Sequence, residues 1–145
     1  MVIRHTDDSH WQSVSVLNYK EEGHHFSRIT RQVLYDGCPE LPCQLRYFEI
    51  AVGGHSSLEH HEHLHLVFIV RGEGDVLVGN EVQRVSEKDL VTIPGNTWHQ
   101  FQADRGVPLG FLCLVNVDRD RPSLPTKEDL ESLRRDPRVA AFIKS

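Results

Sequence analysis

From residue 13 to residue 117 the chain is a succession of short runs rich in β-branched and aromatic residues, separated by Gly, Pro and Asn. That pattern limits the fold more than any other feature. The runs are SVSVLNY (13–19), SRITRQVLY (27–35), QLRYFEIAV (44–52), HLVFIVR (65–71), DVLVG (75–79), EVQRV (81–85), LVTI (90–93), HQFQA (99–103) and LGFLCLVNV (109–117). Each has the length and composition of a strand. Gly79-Asn80, between two of them, reads as a tight hairpin turn. Many short strands at regular spacing predict an all-β sandwich or barrel.

The last part of the sequence changes character. RDRPSLP (119–125) is a proline-rich connector. Thr126 then stands as the N-cap of KEDLESLRR, with Asp129 three residues on as its capping-box partner. Asp136-Pro137 starts a second short helix, PRVAAFIKS, with proline in the first turn. Leu130, Leu133, Val139, Phe142 and Ile143 form apolar faces, expected to pack on the barrel, with a second subunit as the alternative partner. A chain of 145 residues is then one domain overall. Residues 1–118 carry the barrel with its N-terminal strands, and 119–145 the connector and helices.

Sixteen Lys and Arg against 21 Asp and Glu leave a net charge of −5. That balance argues against a nucleic-acid-binding surface. No apolar run approaches the roughly 20 residues of a membrane helix, and the N-terminal residues lack the apolar segment of a secretory signal. Cys38, Cys43 and Cys113 lack metal-ligand spacing. Cys38 and Cys43 read as loop thiols rather than a redox pair, and Cys113 as a small core residue. A reduced, cytoplasmic protein is the expectation.

The chemistry concentrates in LEHHEHLHLVFIVRGEG (58–74), where four histidines and two glutamates fall within seven positions. Imidazoles held close together resist protonation, and a divalent metal turns that into binding, because neutral imidazole and carboxylate are its ligands. A solvated polar loop is the competing reading. Glu59 and His61, two apart, share one face of an extended segment, while His60 faces away. His65 shares a face with Val67 and Ile69. If the Glu59–His61 segment turns back beside the His65 strand, the three side chains converge. A fourth ligand must come from a distant segment, and His99, after the turn TIPGNTW, is the candidate.

These residues resemble the two motifs of a small single-domain cupin (cupin type-2 conserved barrel family). The first family motif runs Gly, five residues, His-x-His, three or four residues, Glu, six residues, Gly. Here five residues separate Gly53 from EHH, and six separate His65 from Gly72. Glu59 takes the first histidine's place, His61 the second's, and His65 that of the glutamate. The second motif runs Gly, five residues, Pro-x-Gly-x-x-His, three residues, Asn. In KDLVTIPGNTWHQFQA, Pro94 and His99 match, while Lys88, Asn96 and Ala103 stand where Gly, Gly and Asn are usual. Asn tolerates a left-handed turn position and preserves its geometry. The resemblance implies a double-stranded β-helix (jelly-roll barrel) and a three-histidine, one-glutamate site of Glu59, His61, His65 and His99. The alternative register replaces Glu59 with His63. His60 and Glu62 read as solvated.

Around the site, Phe101 shares the inward face of its strand with His99, so an apolar, partly dry cavity is expected. Trp98 stands either at the rim or packed outward. In RYFE (46–49), Arg46 shares a face with Phe48, and Tyr47 with Glu49. An inward face would supply a carboxylate-binding Arg46 or an acid–base Tyr47; otherwise one face is solvated or faces a second subunit. Four protein ligands on an octahedral ion leave two positions for water or substrate, enough to polarise a carbonyl, activate water or bind dioxygen. The leading expectation is a metal-dependent enzyme acting on a small oxygenated molecule, of dioxygenase, isomerase or lyase type. Iron, manganese, nickel, cobalt, copper and zinc all suit the ligands. The alternative is a non-catalytic ligand-binding or sensor barrel with a structural metal. The resemblance also implies a homodimer; no nucleic-acid or membrane partner is expected.

Overall fold

The computed structural model describes residues 1–6, 9–20 and 23–145. Eight strands and two short helices follow in chain order: β1 (Leu17–Asn18), β2 (Ser27–Tyr35), β3 (Cys43–His55), β4 (His65–Val78), β5 (Glu81–Ser86), β6 (Leu90–Ile93), β7 (His99–Ala103), β8 (Leu109–Asn116), α1 (Lys127–Leu133) and α2 (Pro137–Phe142). All strand pairings are antiparallel, and together they form a closed barrel with extra strands.

Two long strands organise the barrel. β3 lies between β2 and β8 and reaches β7 at His55. β4 pairs with β6 and β8 through its first half, and with β5 and β7 through its second. The runs at 65–71 and 75–79, read from the sequence as two strands, are thus one strand that bends. Gly72 and Gly74, the apparent punctuation, make the bend. Gly72 has φ +69°, and a Cβ there would lie 1.9 Å from the Pro108 carbonyl oxygen. A register shift between Ile69 and Arg71 accompanies it, as a bulge in a bent strand does.

Alternation sets the inside. His65, Val67 and Ile69 of β4 are buried, while Phe68 on the other face is exposed. Phe101 of β7 and Phe111 of β8 stack with ring centroids 4.7 Å apart, and Phe48 of β3 stacks on Phe111 at 5.5 Å. Each fully buried side chain of this size contributes about 1.5–3 kcal/mol. Gly79 has φ +66°, which a type II′ hairpin requires of its first central residue.

The expected strand at 13–19 shrinks to Leu17–Asn18. Ser13 sits at φ +63°, outside the extended region, and Ser15–Asn18 are exposed rather than paired along a full edge.

Both helices begin at the expected caps. Thr126 Oγ1 accepts from the Asp129 amide at 3.2 Å, and Asp129 Oδ2 accepts from the Thr126 amide at 2.9 Å. Asp136 caps α2 through the Arg138 amide, with Pro137 in the first turn. Val139 and Ile143 pack with Leu58 and Leu77 of the barrel, flanked by Leu130, Leu133 and Phe142. Gln100, fully buried on the outer face of β7, donates to the Lys144 carbonyl and accepts from the Lys144 amide, both at 2.8 Å. The tail is thereby fastened to the strand whose inner face begins with His99.

Candidate metal centre

Three segments deliver three imidazoles to one point. His65 opens β4, His99 opens β7, and His61 lies in the loop between β3 and β4. That loop runs beside the entry to β7, not beside β4. Glu59 and His99 exchange backbone hydrogen bonds of 3.2 and 3.0 Å, and the Asn96 amide donates to the His61 carbonyl at 2.6 Å. The close approach needs the turn Pro94-Gly95-Asn96. A Cβ on Gly95 would lie 2.2 Å from the Glu62 carbonyl oxygen. Asn96 has φ +58° and Lys88 φ +76°, so both positions occupied by glycine in the cupin motif keep its left-handed backbone.

One ligand nitrogen from each of His61, His65 and His99 lies within 4.8 Å of the others. Orientation comes from the opposite ring nitrogens. Nδ1 of His61 donates to the His63 carbonyl at 2.7 Å, and Nδ1 of His99 to the Thr97 carbonyl at 2.8 Å. Nδ1 of His65 lies 3.1 Å from Cys113 Sγ. These partners leave the Nε2 lone pairs facing inward, the arrangement that fixes tautomer and ring angle in metal sites. Nε2 of His65 and Nε2 of His99 are buried without a hydrogen-bond partner. An acceptor nitrogen left so is costly unless a cation completes it. The donor set therefore fits a divalent transition metal.

Electrostatics agree. Burial, then the neighbouring His99 and His63, pushes His61 down to about 4. Burial, His99 and His61 push His65 down to about 2. Burial also lowers His99. All three rings are neutral at physiological pH, as ligands must be.

Glu59 lines the same cavity, and its Oε2 is held by Lys20 Nζ at 2.5 Å. His63 lies outside the triad. Its ring stacks on His61 at 3.7 Å, and its Nδ1 pairs with Asp120 Oδ1 at 2.6 Å. Asp120 also accepts from the Glu62 amide at 2.8 Å and the His63 amide at 3.2 Å, bracing the ligand loop. These backbone bonds and His63 hold its carboxyl well below the usual carboxylate range. Glu62 is exposed, and His60 meets the edge of Trp98 at 4.3 Å. Trp98 packs outward against the helix-covered cluster rather than at the rim.

Arg46 and Phe48 supply the inward face of RYFE. Arg46 lines the cavity, its guanidinium 5.1 Å from the centre of the Phe48 ring. Tyr47 lies on the outer face, packed under Trp11 and hydrogen-bonded to Glu49, which pairs with Arg71 at 2.9 Å. Cys113 is directly across from Arg46 in the β3–β8 register, and Arg46 Nη2 donates to its Sγ at 3.3 Å. It is a core residue and also part of the cavity wall. All three cysteines are free thiols.

The cavity has a volume of about 410 Å³, within the range of small-molecule sites. Sequence reasoning missed several of its residues: Lys20, Arg31, Cys113, Arg119 and Asp120. For Cys113 the signal was available, since 109, 111, 113 and 115 alternate inward on β8. The charged stretch after β8 carries no comparable pattern.

The cupin domain family model matches residues 46–115. The chain is 54% identical over 134 residues to 1-methylthio-D-xylulose 5-phosphate methylsulfurylase of Rhodospirillum rubrum, covering 92% of this chain and 85% of that protein. A cupin 2 conserved barrel domain protein from Rhodopseudomonas palustris superposes with a TM-score of 0.94 at 48% identity, covering 100% of both chains. A cupin-2 domain protein from Rhodospirillum rubrum superposes with a TM-score of 0.88 at 51% identity, over 95% of this chain and 93% of that one. With its two motifs, its barrel and its convergent histidines, the chain belongs to the cupin family.

Proposed function

We propose that this protein is a metal-dependent enzyme that removes the methylthio group from a phosphorylated 1-methylthio ketose. The observation that carries the proposal is the Cys113 thiol, placed in the cavity wall between His65 and Arg46. The relative named as a methylsulfurylase supplies the substrate class. Transfer of a methylthio group needs a soft acceptor for its sulfur, and a thiolate is the protein nucleophile suited to that.

Cys113 is the described cysteine that lines the cavity. Burial raises its thiol, and the Arg46 guanidinium opposes that rise. The thiolate attacks the substrate's thioether sulfur. A sulfur–sulfur bond forms and the C1–S bond breaks, its electron pair passing into the adjacent ketone as an enolate. The proton lost by the thiol is replaced at C1, leaving a 1-deoxyketose phosphate and a methyl disulfide on Cys113. A low-molecular-weight thiol then exchanges with that disulfide, releases the methylthio group and restores Cys113.

His61, His65 and His99 would hold the metal; Glu59, whose carboxylate falls outside the group of ligand atoms within 4.8 Å of one another and whose Oε2 is held by Lys20, would be its fourth ligand after turning inward. A divalent ion there supplies Lewis-acid polarisation of the ketone oxygen. Iron, manganese, nickel, cobalt, copper and zinc all suit this ligand set. The test is incubation of the metal-loaded protein with 1-methylthio-D-xylulose 5-phosphate, with and without added thiol. A methylthio adduct on the Cys113 peptide without thiol, and turnover with it, is the expected result. Consumption of the substrate with its C–S bond intact would overturn the proposal.

Two copies are inferred to associate through the outer face of β4, β6 and β8. Leu66 pairs with Leu114, and Phe68 with Leu90 and Leu112, across adjacent strands. Phe68, Leu90 and Leu114 are exposed there, a contiguous apolar surface of the kind that marks association.

A further inference from the structure

We propose that Arg31, Arg46 and Arg119 form a phosphate subsite in the wall of the cavity, which selects phosphorylated over free sugars. This deepens the function proposed above and rests on it only for the identity of the sugar.

Three observations carry the inference. First, position: all three line the cavity that holds the histidines. Arg46 faces inward from β3. Arg31 of β2 is registered against Phe48. Arg119, just after β8, reaches back to Gln44, two residues before Arg46.

Second, no carboxylate among the described residues is in ion-pair contact with any of them. Arg119 donates to the carbonyls of Asn116 and Val117 at 2.8 and 3.3 Å, and to Gln44 Oε1 at 2.9 Å. Arg31 Nε donates to the Asn18 carbonyl at 3.1 Å. Arg46 donates to a sulfur, and its Nε is buried without a partner. Among the described residues, none of the three makes an ion pair. Arg71, Arg84 and Arg138, by contrast, each meet a carboxylate. Neutral acceptors therefore hold these guanidiniums in place without satisfying their charge.

Third, the clustering is costly. Burial and the proximity of Arg46, with Arg31 adding, hold Arg119 below the usual arginine range, against the opposing pull of Cys113 and Asp36. A chain of net charge −5 gathers like charges in one cavity against their mutual repulsion. A dianionic phosphoryl group removes that repulsion and matches the planar fork geometry of guanidinium.

The experiment is calorimetric titration of the metal-loaded full chain with D-xylulose 5-phosphate and with D-xylulose. The wild type is expected to prefer the phosphorylated sugar by on the order of 100-fold, the effect of a few charge-assisted hydrogen bonds. Arg31→Gln/Arg119→Gln should abolish most of that preference, weakening D-xylulose 5-phosphate far more than D-xylulose. If that variant fails to fold, Arg31→Lys/Arg119→Lys keeps the charge but loses the fork, and should forfeit about 10-fold. A preference undiminished in the variants, or absent from the wild type, overturns the subsite. If neither sugar binds, inorganic phosphate decides. Saturable binding lost in the variants supports the subsite, and no saturable binding refutes it. Phosphate preference without methylthio release retires the proposed reaction and leaves the subsite standing; methylthio release without phosphate preference does the reverse.

Discussion

Cys113 Sγ lies 3.1 Å from Nδ1 of His65, whose other ring nitrogen faces the metal position. The proposed nucleophile and a proposed metal ligand thus share one hydrogen bond. Replacing Cys113 with Ala removes the proposed acceptor for the methylthio group and retains all three imidazoles. Methylthio release should fall by at least about 1,000-fold, the scale set by loss of a covalent nucleophile. Because Cys113 also orients His65 through Nδ1, metal affinity should weaken by about 10-fold, and release is compared at excess metal, where the site stays filled. Full turnover by Cys113→Ala would remove Cys113 from the chemistry.

The ligand loop depends on Asp120, which binds the amides of Glu62 and His63 and the His63 ring. Asp120→Asn keeps the shape but loses the charge and one acceptor. Metal affinity is expected to drop by about 10- to 100-fold, as for groups that orient metal ligands. His61→Ala should abolish binding. His63→Ala, whose ring is turned toward Asp120, should weaken it no more than Asp120→Asn does. Competition with a chromophoric chelator measures all three, together with Glu59→Ala. Loss of metal in His63→Ala alone would reassign the ligands.

The depressed histidines also give the metal-free protein a pH signature. Unfolded imidazoles titrate near 6.5, whereas His61 and His65 titrate at about 4 and about 2 in the fold. Between those values the unfolded chain binds more protons than the native one. Stability is therefore full above about pH 6.5 and is lost as pH falls below it, by up to about 1.4 kcal/mol per pH unit for each such histidine. Metal affinity declines over the same range, because protonation competes with ligation. Urea unfolding of the chelated protein at a series of pH values measures the slope. A flat profile between neutrality and about pH 4.5 would show that the rings are not buried as described.

The turn before β6 stores strain. Lys88 has φ +76°, in a position where cupin motifs carry glycine. A side chain in the left-handed region costs roughly 1–2 kcal/mol, and glycine's extra chain entropy returns about 0.5–1 kcal/mol of that. Lys88→Gly should stabilise the fold by up to about 1 kcal/mol, seen as a higher denaturation midpoint with unchanged slope. Gly72→Ala is the opposite case, since its Cβ would meet the Pro108 carbonyl. It should be strongly destabilising.

The barrel was legible because period-two alternation survives wherever one strand face is buried, as at His65, Val67 and Ile69. The bend at Gly72 was not, because glycine reads alike as turn or bulge until Pro108 is seen against it. The histidine triad was legible from the glycine register of the motifs. The Lys20–Glu59 pair was not, because the partners lie 39 residues apart and no local pattern joins them. The same holds for Arg31 and Arg119. Parity can place a strand residue inward, but only tertiary register says which distant guanidiniums meet.

The outer face of β4 gives the last prediction. Phe68 is 41% exposed and Leu90 61%, on paired strands, and Leu114 joins them through Leu66. Water contact with so much contiguous apolar surface is unfavourable by about 25 cal/mol per Å², and a second copy seated there relieves it. Light scattering behind size exclusion should give twice the chain mass for the wild type and the single mass for Phe68→Glu/Leu90→Glu. Because both side chains point away from the cavity, the metal content of the variant should match the wild type. A wild-type monomer at about 100 µM, the upper end of weak specific association, would refute the interface.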